Sequence, residues 1–330
     1  MDQAPPDLAE LEAFREREAS KRFSLADLKA DELNSQIVVR RFAGPSSFVG
    51  RVAPIRVAHL TDLHVGRVTP MRVQRAAVEL ANAANPDFVV LTGDFVCHSQ
   101  HYLDALEELV RDYRAPVYAV LGNHDHWSGG KEVAQALERA GAVVLNNAHT
   151  TIDVNGSRLQ ILGLDDAYTG HARRDVAVRG LDPSLPTLGL SHIAEEADGL
   201  WAHGVGLVLS GHTHAGQVTL AGLHELALGR MAGHKYIHGL YGTRVASPGR
   251  GAVYVGAGIG AAVMPIRLGT RGKREVTIFE LGMEPGIFSE DHIEQEALPG
   301  RKPSAGRMAA RAQAVIEKHR KREKRRVKST

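Results

Sequence analysis

The sequence predicts an α/β fold in which two packed mixed β-sheets are flanked by helices, a four-layer α/β/β/α sandwich. Two observations carry that expectation. Apolar runs of strand length alternate with amphipathic helical stretches from Ile55 to about Ala140, and a β-rich half with turn residues follows. In addition, potential metal ligands recur just after the apolar runs, as expected where strand ends gather along one edge of a sheet.

Residues 7 to about 34 are rich in Glu, Lys, Arg, Ala and Leu and read as a charged helical arm with a thin apolar stripe. Ile37 to Phe42 reads as a strand closed by Gly44-Pro45-Ser46-Ser47. Ile55 to Leu60 is the next strand, and Pro70 to Ala84 an amphipathic helix with Pro at its first turn. Phe88 to Leu91 is a strand, His101 to Tyr113 a helix, and Val117 to Leu121 a strand. A polar turn then leads to a helix over Lys131 to Ala140, stopped by Gly141. Short strands follow in 143–145, 151–154 and 158–164, with Asn155-Gly156 as the hairpin turn. Leu185 to Leu190, Val205 to Leu209, Val253 to Val255 and Glu275 to Leu281 complete the strands. The expected organisation is an arm over 1–36, a single domain over 37–282, and a linker with a basic tail over 283–330.

An apolar fraction of 43%, a charged fraction of 24% and a net charge of +2 exclude a dedicated nucleic-acid binder by charge alone and fit a globular protein. Positive charge is concentrated in the tail, from Lys318 to Lys328, which an anionic surface would attract. A single cysteine, Cys97, excludes an intrachain disulfide framework. The N-terminus shows no apolar signal-peptide core, and no run reaches the ~18 apolar residues of a spanning segment. The default expectation is a cytoplasmic protein with no transmembrane segment.

Seven potential ligands lie in five short segments: Asp62 and His64 in T-D-L-H, Asp94 in T-G-D, Asn123 in G-N-H-D, His192 in L-S-H, and His212 and His214 in S-G-H-T-H. Carboxylate, imidazole and amide donors suit divalent cations of hard to borderline character. In D-x-H and H-x-H two side chains fall on one side of an extended strand end. Asp94 has two oxygens, each able to take one cation. His124 stays off the metals, with Asp125 placed to fix its tautomer, which suits general-acid work on a leaving oxygen. Cys97 reads as a half-buried bystander whose thiol would perturb metal preference if near. The glycines of Y-V-G-A-G-I-G-A match a dinucleotide fingerprint through Gly256, Gly258 and Ala261, but Pro265, Gly269 and Gly272 break the helix such a site needs. Close packing near the metal site accounts for them instead.

This ordered set resembles the metallophosphoesterase (calcineurin-like phosphoesterase) superfamily over roughly residues 55 to 216, in a bacterial phosphodiesterase branch. The resemblance implies two divalent cations, of manganese, iron or zinc. Asp62, His64 and His214 would hold one and Asn123, His192 and His212 the other, with Asp94 between them. It implies a phosphodiesterase acting by in-line attack of a metal-bridging hydroxide, with His124, supported by Asp125, near the leaving group. The substrate would be a small or lipid-linked phosphoester. Within the same superfamily a UDP-2,3-diacylglucosamine pyrophosphatase is the alternative, and a non-catalytic scaffold the alternative of another class. Two departures stand out: the second motif continues into Cys97 and His98, and His192 is followed by Ile193-Ala194-Glu195 rather than Asn-Pro. Gln217 and Arg267 are candidate supports of the site.

Overall fold

Aliphatic and β-branched runs bounded by Gly, Pro and Asn become two six-stranded sheets, seen in a computed structural model that describes residues 37–97, 99–216, 232–261, 267, 270–301 and five scattered positions beyond 305. The expected N-terminal arm, almost all of the basic tail and Gln217 lie outside the described residues.

The first sheet contains β1 (Ile37–Ala43), β2 (Ile55–Leu60), β3 (Phe88–Thr92), β4 (Val117–Val120), β5 (Val143–Val144) and β12 (Arg274–Leu281) in the order β1-β12-β2-β3-β4-β5. Strands β2 to β5 are parallel, and β12 inserts antiparallel to β2 and parallel to β1. The second sheet contains β6 (Ala148–Val154), β7 (Ser157–Leu164), β8 (Thr187–Ser191), β9 (Val205–Ser210), β10 (Gly239–Ser247) and β11 (Arg250–Val255) in the order β10-β11-β9-β8-β7-β6. Its four central strands, β7, β8, β9 and β11, are parallel.

Alternation along each strand divides the core. Val57, Phe88 and Val90 of the first sheet meet Ile161, Leu190, Leu207 and Leu209 of the second in the layer between them. Ala58, Leu60, Val89 and Leu91 point the other way, onto α1 (Met71–Ala83), α2 (Leu103–Arg111) and α3 (Asn123–Arg139). The second sheet's outer face is covered by two short helices, α4 (Arg174–Ala177) and α5 (Ala197–Trp201), through Ala177, Ala197 and Leu200. These layers are the expected α/β/β/α sandwich.

Three features depart from the sequence reading. Helix α3 begins at Asn123 rather than Lys131, with Gly129 at φ 107° as a break inside it. The Asp125 carboxylate accepts the Gly122 N–H at 2.9 Å, satisfying a donor that the helix start leaves free. Strand β10 pairs with β11 although no strand was expected there. Residues 283–301, expected to lead away as a linker, instead bond back: Gln295 N–H donates to Leu240 O at 2.8 Å, and Arg244 Nη1 pairs with Glu290 Oε1 at 2.7 Å.

Beside the site a buried carboxylate, Glu275, ties four segments together. It accepts from Arg40 Nε at 2.8 Å and Tyr254 OH at 2.9 Å, faces His238 Nε2 at 2.9 Å, and takes the Ala257 N–H at 2.9 Å. Burial would raise its pKa, but His238 and Arg40 overcome that and hold it well below the usual carboxylate range. No helix among the described residues is long and apolar enough to cross a membrane.

Candidate metal centre

All five ligand segments sit just beyond strand ends: after β2, β3 and β4 in one sheet and after β8 and β9 in the other. The turns run against one another through backbone bonds, with Asp62 N–H on Gly93 O at 3.0 Å, His64 N–H on Asp94 O at 2.9 Å and Gly211 N–H on His192 O at 3.2 Å. Such crossings need glycine: a Cβ on Gly122 would lie 2.4 Å from Asp94 Oδ1, and one on Gly211 would meet the Thr61 hydroxyl. Backbone strain collects here too. Asp62, His64, Asp94, His212 and His214 all have φ between 47° and 76°, a region that non-glycine residues seldom occupy and that clusters at functional sites.

The structure brings the predicted donors together. Asp94 Oδ2 lies 3.5 Å from His64 Nε2, 3.4 Å from His192 Nε2 and 4.0 Å from His124 Nε2. Asp62 Oδ1 is 3.3 Å from His214 Nε2, and the Nε2 atoms of His64 and His214 are 3.0 Å apart. Asn123 Oδ1 lies 3.2 Å from His192 Nε2. Donor atoms fall into two groups able to hold a cation: Asp62, His64, Asp94 and His214 in one, Asp94, His192 and His212 in the other. Asp94 belongs to both. A third group, His64, Cys97 and His124, overlaps the first.

Supporting bonds decide which atom of each ligand faces inward. Asp62 Oδ2 accepts from the Thr61 hydroxyl at 2.9 Å and His212 N–H at 3.0 Å, leaving Oδ1 buried with no hydrogen-bond partner among the described residues. His192 Nδ1 lies 2.7 Å from Thr92 O, to which it donates, so its Nε2 is the nitrogen turned towards Asp94 Oδ2 and Asn123 Oδ1. Asp94 Oδ1 takes the His124 N–H at 2.8 Å. Its Oδ2 faces the imidazoles of His64 and His192.

One correction concerns Asp125. Its Oδ2 accepts the N–H groups of Gly122 at 2.9 Å and Asp94 at 2.8 Å, and its Oδ1 those of Phe95 at 2.8 Å and Val96 at 3.3 Å. Bound to four backbone donors, it braces two motif loops rather than orienting His124. Burial and the Asp94 charge push its carboxyl up to about 7, against the pull of those N–H groups. His124 lies beside the ligands, its ring edge-on to His64 at 4.7 Å, with its side chain 14% exposed.

The donor set fits divalent cations. Among these side chains alone, burial pushes His64 and His214 down to about 3, while Asp94 and Asp62 overcome burial to draw His192 up to about 10. Burial and Asp94 together raise the Asp62 carboxyl. Two buried carboxylates and four imidazoles, two of them buried and two half-buried, compete for protons, and cations would relieve that competition.

Supports beyond the donors themselves complete the centre. The loop after β11 backs the ligands, with Ile259 N–H on Thr61 O at 3.1 Å and Gly260 N–H on Asp62 O at 2.7 Å. Arg267 holds that loop by donating to Ala257 O at 2.7 Å and to Gly260 O, with Nη2 3.4 Å from His214 Nδ1. Cys97 Sγ lies 3.7 Å from His64 Nδ1, and burial and the Asp94 charge push its thiol up to about 11. Thr61 and Thr92 act here through a hydroxyl and a carbonyl, signals too common to single out in a sequence.

The model of the calcineurin-like phosphoesterase family matches residues 55–216. The chain is 29% identical over 232 residues to YkuE of Bacillus subtilis (strain 168), an uncharacterized metallophosphoesterase, covering 68% of this chain and 78% of that protein. It is 29% identical over 244 residues to the phosphodiesterase YaeI of Escherichia coli (strain K12), covering 71% and 84%. Among solved structures, the NAD nucleotidase of Haemophilus influenzae aligns at a TM-score of 0.47 and 15% identity, over 63% of this chain and less than half, 46%, of that one.

Proposed function

The chain belongs to the calcineurin-like phosphoesterase family of phosphoester hydrolases, and on that premise we propose that it is a phosphodiesterase working with two divalent cations. The observation that carries this reading is the position of Asp94 Oδ2, which faces the imidazoles of both ligand groups. Asp62, His64 and His214 would hold one cation, Asn123, His192 and His212 the other, and Asp94 both. A pair of such cations supplies a water acidified for attack and neutralises charge on the phosphoryl oxygens.

The chain's own residues do the rest. Thr61 and the His212 N–H fix the Asp62 carboxylate, and Thr92 O fixes the His192 ring. The four N–H donors on Asp125 hold the Asp94 and Asn123 turns in register. His124 stands beside the cluster with its ring partly exposed, and donates a proton to the oxygen that leaves. The name phosphodiesterase carried by the Escherichia coli relative supports a diester as substrate.

Initial rates on bis(p-nitrophenyl) phosphate, p-nitrophenyl phosphate and UDP-2,3-diacylglucosamine, with manganese, iron or zinc, test the proposal. The expected result is metal-dependent hydrolysis with the diester cleaved fastest. Preference for the monoester or the pyrophosphate would reject the diester assignment. Full metal occupancy without hydrolysis of any of the three would reject the function.

A further inference from the structure

Two rings beside the centre belong to neither ligand group. Trp127 packs on His124 with centroids 4.8 Å apart at 61°, and on Tyr168 at 6.0 Å and 81°. Tyr168 in turn meets His212 at 5.2 Å and 48°. Trp127 and Tyr168 therefore span the distance from the proton donor to a ligand of the second cation. Both rings are partly exposed, whereas Asp62, His64, Asp94 and His192 behind them are buried.

The wall is held in place by bonds on both sides. Trp127 follows Asp125, with its four backbone donors, and His126, whose Nε2 lies 2.8 Å from Asp165 Oδ1. Asp165 opens the turn that carries Tyr168, and that turn is closed by Thr169 N–H on Asp166 Oδ2 at 2.7 Å. The His126–Asp165 contact thus ties the segment of Trp127 to the segment of Tyr168. Rings fixed in this way offer a flat, low-entropy surface to another ring, through offset or edge-on contact at centroid separations of roughly 4.5–7 Å. An acyl chain would gain no directional contact from them.

We propose that Trp127 and Tyr168 form a subsite for a flat aromatic group, a nucleobase or aryl ring, carried on the phosphoester. The proposal rests on the phosphodiesterase reading and adds a substrate class to it. Inhibition of bis(p-nitrophenyl) phosphate hydrolysis by adenosine 5′-monophosphate and by ribose 5-phosphate, which differ only in the base, provides the test. The expected result is an inhibition constant about tenfold lower for the nucleotide, the order that stacking one base supplies. That ratio should collapse towards one in Trp127→Leu and in Tyr168→Ala, and persist in Trp127→Phe, with inhibition by ribose 5-phosphate unchanged throughout. As a readout independent of turnover, Trp127 fluorescence in a Trp201→Phe background should be quenched by the nucleotide and not by ribose 5-phosphate. Equal inhibition by the two compounds in the wild type, or a ratio that survives Trp127→Leu and Tyr168→Ala in folded protein, would overturn the subsite while leaving diester hydrolysis intact. Loss of all hydrolysis in the wild type would instead strike the underlying function.

Discussion

The N–H of Asp94 donates to Asp125 Oδ2 at 2.8 Å, so the turn that carries the shared carboxylate is pinned to the first turn of helix α3. The same oxygen takes the Gly122 N–H at 2.9 Å. Asp125→Asn substitutes an NH2 group for one acceptor oxygen, leaving two buried N–H donors facing a donor, at roughly 1–3 kcal/mol for each group left unsatisfied. The variant should unfold several degrees below the wild type and bind metal about 10–100-fold more weakly. Thermal unfolding and metal titration check this. Unchanged metal affinity would show that the brace does not govern the centre.

The cluster of candidate donors was legible in the sequence because each of its segments closes an apolar run. Asp125's work was not, because its partners are backbone N–H groups of residues 94–96, which carry no side-chain signature. The start of α3 was hidden by Gly129 and Gly130, which read as a break although the chain bends there and continues. Helices α4 and α5, of four and five residues, are too short to display a helical period. Strand β10 carries Gly239 and Gly242, residues that weaken any strand pattern. The contact between Trp127 and Tyr168 joins helix α3 to a turn that no local pattern relates to it.

Asp94→Asn tests the shared carboxylate directly. Its Oδ2 faces both donor groups, so a neutral amide there weakens both. Metal content should fall from two cations to one or fewer per chain. Hydrolysis of bis(p-nitrophenyl) phosphate should drop by at least about a thousandfold, the equivalent of several kcal/mol of transition-state stabilisation. Elemental analysis and initial rates read the two effects separately. A variant that keeps two cations and wild-type turnover would dismantle the binuclear mechanism.

For His124→Ala the expectation is different, since this ring is proposed to move a proton rather than to hold a cation. Turnover of diesters with alkyl leaving groups should fall by about 10²–10⁴. The loss should be much smaller with p-nitrophenol, which departs without needing a proton, and metal content should not change. An equal loss for both leaving groups would argue against general-acid work.

Gly258 packs against the ligands from behind. An added Cβ would lie 2.8 Å from Asp62 Cβ and 3.3 Å from His214 Nδ1, at a φ of 75°. Gly258→Ala should therefore displace two ligands as well as add backbone strain of roughly 1–2 kcal/mol. Gly249, at a φ of 65° with open space around its Cβ position, supplies the control. Both alanine variants should lose comparable stability from strain, but only Gly258→Ala should also lose metal affinity, by about 10–100-fold. If the two variants bind metal alike, the close approach at Asp62 has no functional weight.

His59 lies within β2, the strand that delivers Asp62, with Nε2 2.8 Å from Thr92 Oγ1 and its ring buried edge-on to Tyr254 at 6.1 Å. Burial pushes it down from 6.5 to about 4, against the opposing pull of Glu275. The unfolded chain therefore takes up this proton first as pH falls. Stability from His59 is fully present above pH 6.5 and is lost progressively as pH drops to about 4. The shift corresponds to roughly 3 kcal/mol. His59→Gln keeps a polar partner for Thr92 but does not titrate, so its stability should fall less steeply across the same window. Urea unfolding of both proteins with chelator present, at several pH values between 7.5 and about 4, measures the difference in slope. Parallel curves would mean that His59 is not held neutral by burial.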